Sequence, residues 1–366
     1  MKKVGIIGAG NGGQGLAGYF NLKGYEVRLY DYLEETVAAL QEKTITLEGA
    51  CEGTGQLNIV SHNIEEVVED TDLIMIVNPT IYHKRIAMEL APYLKDGDMI
   101  FLHPSSVFGA FAFKNALEEG GCSKEVTIAE SNTLLLACRI LEPGRILITG
   151  KKDRLLVSAF PATENNRLYE LIKDAIPEVE ICESVLVTSF DSTNAMVHPF
   201  PTIMNVSWVE SGEKFKFYYE GIGPTVGNFL SKLDQERMVI GKTLGLIPGE
   251  NLFSLEMEYE AEYRSTGKDL VEIFRNVKAY DQIYTGPSVR TRYILEDIPN
   301  GMVPFMEMGR LVNCPVDNMK LTIDLCEALL EEDLSSDEKA RTLKNLGLEG
   351  MTVEEIKEYA KTGKKS

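Results

Sequence analysis

The sequence predicts an α/β domain with a mostly parallel sheet, followed by a domain made of helices. The chain of 366 residues is long enough for two domains, each with its own core. As far as about residue 180, short apolar runs alternate with helix-like stretches, which is typical of βαβ units. Beyond Glu183 the apolar residues recur at helical spacing. We therefore expect domains at residues 1–183 and 184–366, with a cleft between them.

The elements of the first half follow from this alternation. Its apolar, β-rich runs are the predicted strands Val4–Ile7, Val27–Tyr30, Leu73–Val77, Met99–Leu102, Val126–Ala129 and Ile146–Thr149. The predicted helices between them are Gly15–Lys23, Glu34–Glu42, Tyr82–Leu94 and Ala110–Glu118. One further strand and one further helix are expected within residues 151–160 and 165–174.

The longest predicted helix of the second half begins after Gly-Pro-Thr225 and runs to about Leu244. Helices are also expected over residues 269–279 and 315–331, and the acidic stretch 331–340 is expected to be a solvated turn. A short last helix is predicted over Met351–Tyr359, with Thr352 as its cap and Glu355 three residues later.

Composition excludes several classes of protein. The formal net charge of −19 argues against a nucleic-acid partner, because such binding depends on basic patches. No apolar run reaches the length of a membrane span. The six cysteines include no Cys-x-x-Cys pair and no histidine at ligand spacing, so neither a disulfide framework nor a metal site is expected. The sequence therefore predicts a cytoplasmic protein with reduced thiols, and no nucleic-acid or membrane partner.

The motif Gly8-Ala-Gly-Asn-Gly-Gly13 lies between a predicted strand and a predicted helix, where dinucleotide-binding Rossmann domains have Gly-x-Gly-x-x-Gly. Gly8 would make the tight turn, Gly10 would let the pyrophosphate approach the backbone, and Gly13 would let the helix pack on the sheet. The phosphates would lie at the helix N-terminus, with Asn11 and Gly12 in the same turn. The alternative is a glycine-rich turn without a ligand.

Two residues at strand ends complete the predicted cofactor site. Asp31 ends the second strand, where an acid hydrogen-bonds the adenosine ribose and repels a 2′-phosphate. We therefore expect NAD, with NADP as the alternative. Asn78 ends a strand at the sheet edge where ligands bind, and could line the nicotinamide ribose or simply form a turn. His83, at the start of the next helix, is expected to be structural.

His198 and Asp297 are a candidate proton-handling pair for a nicotinamide dehydrogenase. The chain has only four histidines, so candidates for an acid/base near neutral pH are few. A carboxylate on one ring nitrogen would fix the tautomer and raise the basicity of the imidazole. Pro199 follows the histidine directly, which predicts a position at a helix edge. The alternatives are a core histidine and an aspartate that caps a helix ahead of Pro299.

The chain resembles the opine dehydrogenase family, of the octopine and nopaline dehydrogenase type. The matching stretches extend over nearly the whole chain and include Gly8-Ala-Gly-Asn-Gly-Gly13, Ala129-Glu-Ser-Asn-Thr-Leu-Leu-Leu-Ala-Cys-Arg139, Asn194-Ala-Met-Val-His-Pro199, Asp234-Gln-Glu-Arg237, Arg292-Tyr-Ile-Leu-Glu-Asp-Ile-Pro299 and Leu346-Gly-Leu-Glu-Gly350. The stretch Leu134-Leu-Leu136 departs from the family, which commonly has a proline and an aromatic residue there. This departure bears on the substrate pocket rather than on the reaction.

The resemblance implies a Rossmann-type domain followed by an all-α domain of the 6-phosphogluconate dehydrogenase C-terminal type. It also implies the NAD(P)H-dependent reductive condensation of a 2-oxo acid, such as pyruvate, with the amino group of an amino acid. The product is an opine, a secondary amine dicarboxylate. By the same resemblance, His198 is the acid/base and Asp297 its partner, Thr133 lies near the oxo acid, and Cys138 lies near the amino acid. Cys138 could equally be a small buried filler.

Other substrate contacts follow from residue chemistry. A substrate carboxylate favours a guanidinium, which Arg292 or Arg139 could supply unless it belongs to a structural ion pair. Asn194 could hydrogen-bond the substrate or the nicotinamide. Trp208 and the aromatic run Phe215–Tyr219 are expected in the core and at a domain interface, and the aromatic-rich helical domain could form a homodimer.

Two other functions compete with this one. Ketopantoate reductase and glycerol-3-phosphate dehydrogenase share the two-domain plan, but place a catalytic lysine early in the helical domain. The segment Leu186–Pro199 contains no lysine and has His198 instead. A non-enzymatic NAD-sensing protein would keep the glycine motif and would need no His–Asp pair.

Overall fold

A computed structural model describes residues 1–365, which fold into two units. The first unit comprises Met1–Thr188 together with the chain from Lys357 onward, and the second comprises Ser189–Ile356. This division differs from the predicted domains of 1–183 and 184–366, because the end of the chain belongs to the first unit.

The strands of the described chain are β1 (Lys3–Ile7), β2 (Glu26–Tyr30), β3 (Thr44–Gly49), β4 (Gly53–Gln56), β5 (Ile59–Ser61), β6 (Leu73–Ile76), β7 (Met99–Leu102), β8 (Thr127–Ser131), β9 (Leu136–Glu142), β10 (Arg145–Lys151), β11 (Leu155–Phe160) and β12 (Val179–Ile181). The helices up to the unit boundary are α1 (Asn11–Leu22), α2 (Glu34–Ala39), α3 (Ile64–Val68), α4 (His83–Leu90), α5 (Gly109–Glu119), α6 (Asn165–Ile172) and α7 (Val185–Phe190). The remaining helices are α8 (Asn194–Val197), α9 (Pro199–Met204), α10 (Val206–Glu210), α11 (Pro224–Thr243), α12 (Leu255–Tyr263), α13 (Leu270–Asn276), α14 (Arg292–Leu295), α15 (Val303–Leu311), α16 (Asp317–Leu330) and α17 (Val353–Thr362).

The main sheet of the first unit has the strand order β12-β11-β8-β7-β6-β1-β2-β5. Neighbouring strands pair in parallel except β8 and β11, which are antiparallel, so that β11 and β12 run opposite to the other six strands. Every residue of β6 and β7 is buried, as expected for parallel strands covered on both faces. The strand order reverses at β1, which pairs with β2 on one side and β6 on the other. In open α/β sheets, ligands bind at the carboxyl ends of the strands at such a point.

A second sheet of the first unit has the order β4-β3-β10-β9. The predicted strand Ile146–Thr149 lies here as part of β10, so its expected place in the parallel sheet was wrong. The face of α1 that contains Gly15 and Gly18 packs closely on this sheet. A Cβ at Gly18 would lie 2.7 Å from Ile45 Cγ2. The strands β3, β4 and β9 were not predicted, because exposed or half-buried residues interrupt their apolar runs.

The second unit is helical, as predicted. Its longest helix, α11, matches the segment expected from Gly-Pro-Thr225 to about Leu244, and α13 and α16 lie within the other two predicted segments. The last helix, α17, has the expected capping box, in which the Glu355 N–H donates to Thr352 Oγ1 and the Thr352 N–H donates to Glu355 Oε2. From Lys357 onward this helix belongs to the first unit, where Tyr359 stacks on Phe111 at 5.7 Å between ring centroids.

Three further features concern the described residues as a whole. The six cysteines are free thiols. Within residues 1–365, no group of three or more His, Cys, Asp or Glu side chains could hold a metal ion. No helix in that range is long and apolar enough to cross a bilayer.

Candidate active site

The glycine motif forms a tight turn between β1 and α1. Gly8 has a φ of +103°, and a Cβ there would lie 2.7 Å from the amide of Asn78. A Cβ at Gly13 would lie 1.6 Å from the Gly8 carbonyl oxygen, so only glycine lets the helix begin this close to the turn. A Cβ at Gly12 would lie 3.1 Å from Val77 Cγ1. The packing roles predicted for Gly8 and Gly13 therefore agree with the structure.

The same turn fits the pyrophosphate of a dinucleotide. Gly10 is the N-cap of α1, and a Cβ there would meet nothing within 4 Å, so the backbone is open to a close approach. The N–H groups in the first turn of a helix have no intrahelical acceptor and favour anions. The Asn11 side chain is held against β9, because its oxygen accepts a 2.7 Å hydrogen bond from the Ile140 N–H.

Asp31 follows β2 and fixes the glycine turn. One carboxylate oxygen accepts a 2.7 Å hydrogen bond from the Ala9 N–H, and the other accepts a 3.0 Å bond from the Leu33 N–H. An ionised carboxylate has about four acceptor sites, so these two bonds leave capacity for ribose hydroxyls. Asp31 therefore stabilises the glycine turn, and its contact with the ribose stays a prediction.

Asn78 lies at the carboxyl end of β6, against Gly8. Its Oδ1 is buried and has no hydrogen-bond partner within the described part of the chain. A buried, unsatisfied oxygen is costly, and a ligand that donates a hydrogen bond would satisfy it. The Asn78 carbonyl lies 3.2 Å from Nε2 of His83, which is buried at the start of α4. His83 thus packs behind the turn, in line with the structural role expected of it.

The predicted substrate residues of the first unit differ in their surroundings. Cys138 on β9 is buried and donates to the Asn11 carbonyl oxygen at 3.1 Å, and burial raises the pKa of its thiol to about 11. This packing against α1 favours the alternative that Cys138 is a core residue. Thr133 is half-buried, and its carbonyl accepts a hydrogen bond from Ser131. Arg139 is exposed and makes no ion pair within residues 1–365.

His198 and Asp297 meet inside the second unit. His198 Nδ1 lies 2.7 Å from Asp297 Oδ2, and the two residues are 6% and 7% exposed. The histidine separates α8 from α9, as the helix-edge prediction requires, and Asp297 follows α14. A carboxylate at Nδ1 fixes the proton on that nitrogen, which leaves Nε2 for acid–base chemistry.

The other histidines have different environments. His103 is fully buried, with Nδ1 2.7 Å from Ser131 Oγ, and burial lowers the pKa of its imidazole to about 3. It is therefore neutral at physiological pH and structural. His62 is exposed. His198 is thus the histidine with both a carboxylate partner and a buried setting suited to acid–base work.

Aromatic residues that the sequence analysis did not assign to the site surround His198. Tyr293 stacks on the imidazole with 4.1 Å between ring centroids, and Phe217 lies edge-on at 6.2 Å. Tyr218 places its hydroxyl 2.8 Å from His198 Nε2. Phe217 and Tyr218 lie in the aromatic run Phe215–Tyr219, and Tyr293 follows Arg292 in the motif that carries Asp297. Neither position by itself distinguishes a core from a site.

Two predicted substrate residues lie next to this pair. Asn194 is exposed and precedes His198 by one helical turn, so both residues lie on the same side of α8. Arg292 is exposed, lies 6.0 Å from the ring centroid of Tyr293, and makes no ion pair within residues 1–365. The alternative of a structural ion pair therefore does not account for Arg292.

Two family models match parts of the chain. Residues 181–330 match the family described as NAD/NADP octopine/nopaline dehydrogenase, alpha-helical domain. Residues 3–104 match the N-terminus of NAD-dependent glycerol-3-phosphate dehydrogenase. The helical-domain match favours the opine dehydrogenase assignment over the other two-domain dehydrogenases, which share the glycine turn.

Similar proteins cover nearly the whole chain. The opine dehydrogenase of Arthrobacter sp. (strain 1C) is 35% identical over 97% of this chain and 98% of its own. The vitopine synthase of Allorhizobium ampelinum is 26% identical, over 96% of each chain. A solved octopine dehydrogenase with NADH and L-arginine has a TM-score of 0.80 at 22% identity, and covers 100% of this chain and 99% of its own. The chain therefore belongs to the opine dehydrogenase family.

Proposed function

We propose that this protein condenses a 2-oxo acid with the amino group of an amino acid, using NADH as reductant, and that it also catalyses the reverse oxidation. The observation that carries the proposal is the buried contact between His198 and Asp297 in a chain of the opine dehydrogenase family. The glycine turn, Asp31 and Asn78 would hold the dinucleotide, which supplies a hydride to carbon when bound.

The chemistry of the substrates requires proton transfer at several steps. The amino group must lose a proton before it attacks the oxo carbon, and the resulting carbinolamine must gain one before it releases water and becomes an imine. His198 suits both steps, because a neutral imidazole accepts a proton and an imidazolium returns it. Asp297 would orient the imidazole and stabilise its charged form across the 2.7 Å contact.

Substrate binding would depend on exposed polar residues. Arg292 would pair with a substrate carboxylate, since a guanidinium binds a carboxylate through two parallel hydrogen bonds. Asn194 would contribute a hydrogen bond. Pyruvate is the 2-oxo acid favoured here, because an octopine dehydrogenase of similar fold was solved with NADH and pyruvate.

Glu258 is a poor candidate for an anionic group that would bind the cationic side chain of a basic amino acid substrate. Burial, and after it the nearby Glu262 and Asp191, raise the pKa of this carboxyl well above its usual value, so the group favours its neutral form. Glu258 Oε1 accepts a hydrogen bond from Thr193, at the start of the segment that leads to His198.

The test is NADH oxidation with pyruvate, measured with and without a panel of amino acids, with mass spectrometry of the product. We expect oxidation only when both substrates are present, and a product that contains the new C–N bond. Oxidation with pyruvate alone would indicate a hydroxy-acid dehydrogenase. Binding of NADH without turnover of any pair would indicate an NAD-sensing protein.

A further inference from the structure

Both ring nitrogens of His198 are already hydrogen-bonded. Nδ1 lies 2.7 Å from the Asp297 carboxylate and Nε2 lies 2.8 Å from the Tyr218 hydroxyl. Tyr293 covers one face of the ring. A substrate therefore cannot reach a nitrogen of this imidazole without breaking a hydrogen bond. A proton can nevertheless reach Nε2 through the hydroxyl that is bonded to it.

The Tyr218 hydroxyl depends on His198 for its hydrogen bond. Tyr218 is 4% exposed, and His198 is its one hydrogen-bond partner among residues 1–365. Its ring stacks on Tyr280 at 3.8 Å, but the Tyr280 hydroxyl is paired with that of Tyr259 at 2.8 Å. Phe217 lies edge-on at 5.0 Å. These neighbours fix the phenol in place while offering its oxygen no other polar contact.

This environment keeps the phenol neutral. Burial, and after it the nearby Tyr259 and Tyr293, raise the pKa of Tyr218 well above its usual value. A neutral phenol can donate its proton to Nε2 only if its oxygen gains another proton at the same time. The hydroxyl is therefore suited to passing protons on without becoming charged.

We propose that Tyr218 is a catalytic residue through which His198 exchanges protons with the substrate. The inference rests on the proposed function. In the acid step, the Tyr218 proton moves to the carbinolamine oxygen while the His198 Nε2 proton moves to Tyr218 Oη. The C–O bond breaks, its electron pair leaves with water, and the nitrogen lone pair forms the C=N bond. His198 returns to its neutral form, and Tyr218 ends with the same charge as before.

The base step is the reverse transfer. The substrate ammonium gives a proton to Tyr218 Oη while the phenol gives its own proton to His198 Nε2. The imidazolium that forms is paired with Asp297. The two steps together consume no net proton, because the proton taken from the ammonium is the one returned to the departing water.

The test compares Tyr218→Phe with Tyr280→Phe, which removes a buried hydroxyl from the same aromatic cluster without touching His198. We expect kcat for amine formation to fall by about 100-fold or more in Tyr218→Phe and to stay within about threefold of wild type in Tyr280→Phe. NADH affinity should be unchanged in both variants. If Tyr218→Phe keeps kcat within threefold, the substrate reaches His198 directly and the inference is wrong.

A second readout needs neither substrate nor cofactor. The chain has only four histidines, so ¹⁵N-histidine labelling resolves each ring, and a His198→Ala spectrum assigns the signal. The ¹⁵N chemical shift of His198 Nε2 should move toward that of a ring nitrogen whose lone pair accepts no hydrogen bond in Tyr218→Phe. It should stay in place in Tyr280→Phe. An unmoved signal would show that the hydrogen bond does not form in solution, which would also overturn the inference.

If Tyr218→Phe does not fold, 3,5-difluorotyrosine at position 218 retains the ring and the hydroxyl while making the phenol more acidic. Proton transfer through the Tyr218 hydroxyl predicts a changed kcat with 3,5-difluorotyrosine at position 218 and an unchanged kcat with it at position 280. Equal rates at both positions would contradict this transfer. Failure of the proposed function would differ from all these outcomes, because wild type itself would then form no amine product.

Discussion

In the second unit, both ring nitrogens and one ring face of His198 contact other side chains. Nδ1 contacts Asp297, Nε2 contacts Tyr218, and Tyr293 stacks on the ring. The first of these contacts was predictable, because the chain has only four histidines and the resemblance to the opine dehydrogenases pairs His198 with Asp297. The other two were not. A tyrosine in an apolar run is compatible with a core as well as with a site, and only tertiary packing decides between them.

Asp31 permits a residue-scale prediction about the cofactor. Asp31→Asn removes the charge that repels a 2′-phosphate, and it also weakens one of the bonds to Ala9 and Leu33. We expect KM for NADH to rise and the preference for NADH over NADPH to fall by about tenfold, the size of one lost charge-assisted hydrogen bond. Steady-state assays with both nucleotides measure this ratio. An unchanged ratio would mean that Asp31 only shapes the turn.

At the scale of elements, the motif Asp234-Gln-Glu-Arg237 proves to be structural. Arg237 on α11 is fully buried and donates to Asp234 and to the backbone carbonyls of Phe190 and Phe253. The Asp234 carboxylate also accepts from the Leu255 N–H at the start of α12. Glu236 accepts hydrogen bonds from the first turn of α16, where its charge complements the helix dipole. The motif thus joins α11 to three neighbouring segments.

The buried ion pair of this motif gives a stability prediction. Arg237→Leu leaves the Asp234 carboxylate buried without its cation and should lower the free energy of unfolding by about 3–5 kcal/mol. Arg310→Ala on α15 is the control, since its pair with Glu307 lies at the surface, with the arginine side chain 47% exposed, and the change should cost less than about 1 kcal/mol. Urea unfolding measures both variants. Equal losses would show that the buried pair has no special role.

Glu258 on α12 gives a prediction about pH. The folded state raises the pKa of this carboxyl above its ordinary value of 4.5, so the folded protein keeps a proton that the unfolded chain releases. Stability therefore falls as the pH rises above 4.5, because ionisation of Glu258 opposes the folded state. Glu258→Gln should raise Tm at pH 7–8 and reduce the decline of Tm with pH. A steeper decline in the variant would contradict this sign.

For the molecule as a whole, the alternation of buried strands and helices could be predicted, but the strands β3, β4, β5, β9 and β12 and the assignment of elements to sheets and units could not. Hydrophobic periodicity marks β1, β2, β6 and β7 because these strands are largely buried. It does not show that β10 pairs with β3 in a separate sheet, since the residues that pair lie about a hundred positions apart in the chain. The return of α17 to the first unit is undetectable in the sequence for the same reason.

The C-terminal helix should therefore stabilise the dinucleotide-binding unit. Tyr359 is 4% exposed and packs on Phe111 and Phe160. Tyr359→Ala should cost about 3–5 kcal/mol, as for other large aromatic side chains removed from a core. Tyr169→Ala on α6 is the matched control, because that ring is 40% exposed. Thermal unfolding in the presence and absence of NADH compares the two, and an equal loss in both would place α17 outside the core.

We propose that His198 handles protons for C–N bond formation, whereas the residues around the glycine turn hold the dinucleotide. The most direct test is to measure, on His198→Ala, both kcat for amine formation and the Kd for NADH. We expect kcat to fall by about 100-fold or more and the Kd to stay near that of wild type. Near-normal turnover in this variant would contradict it.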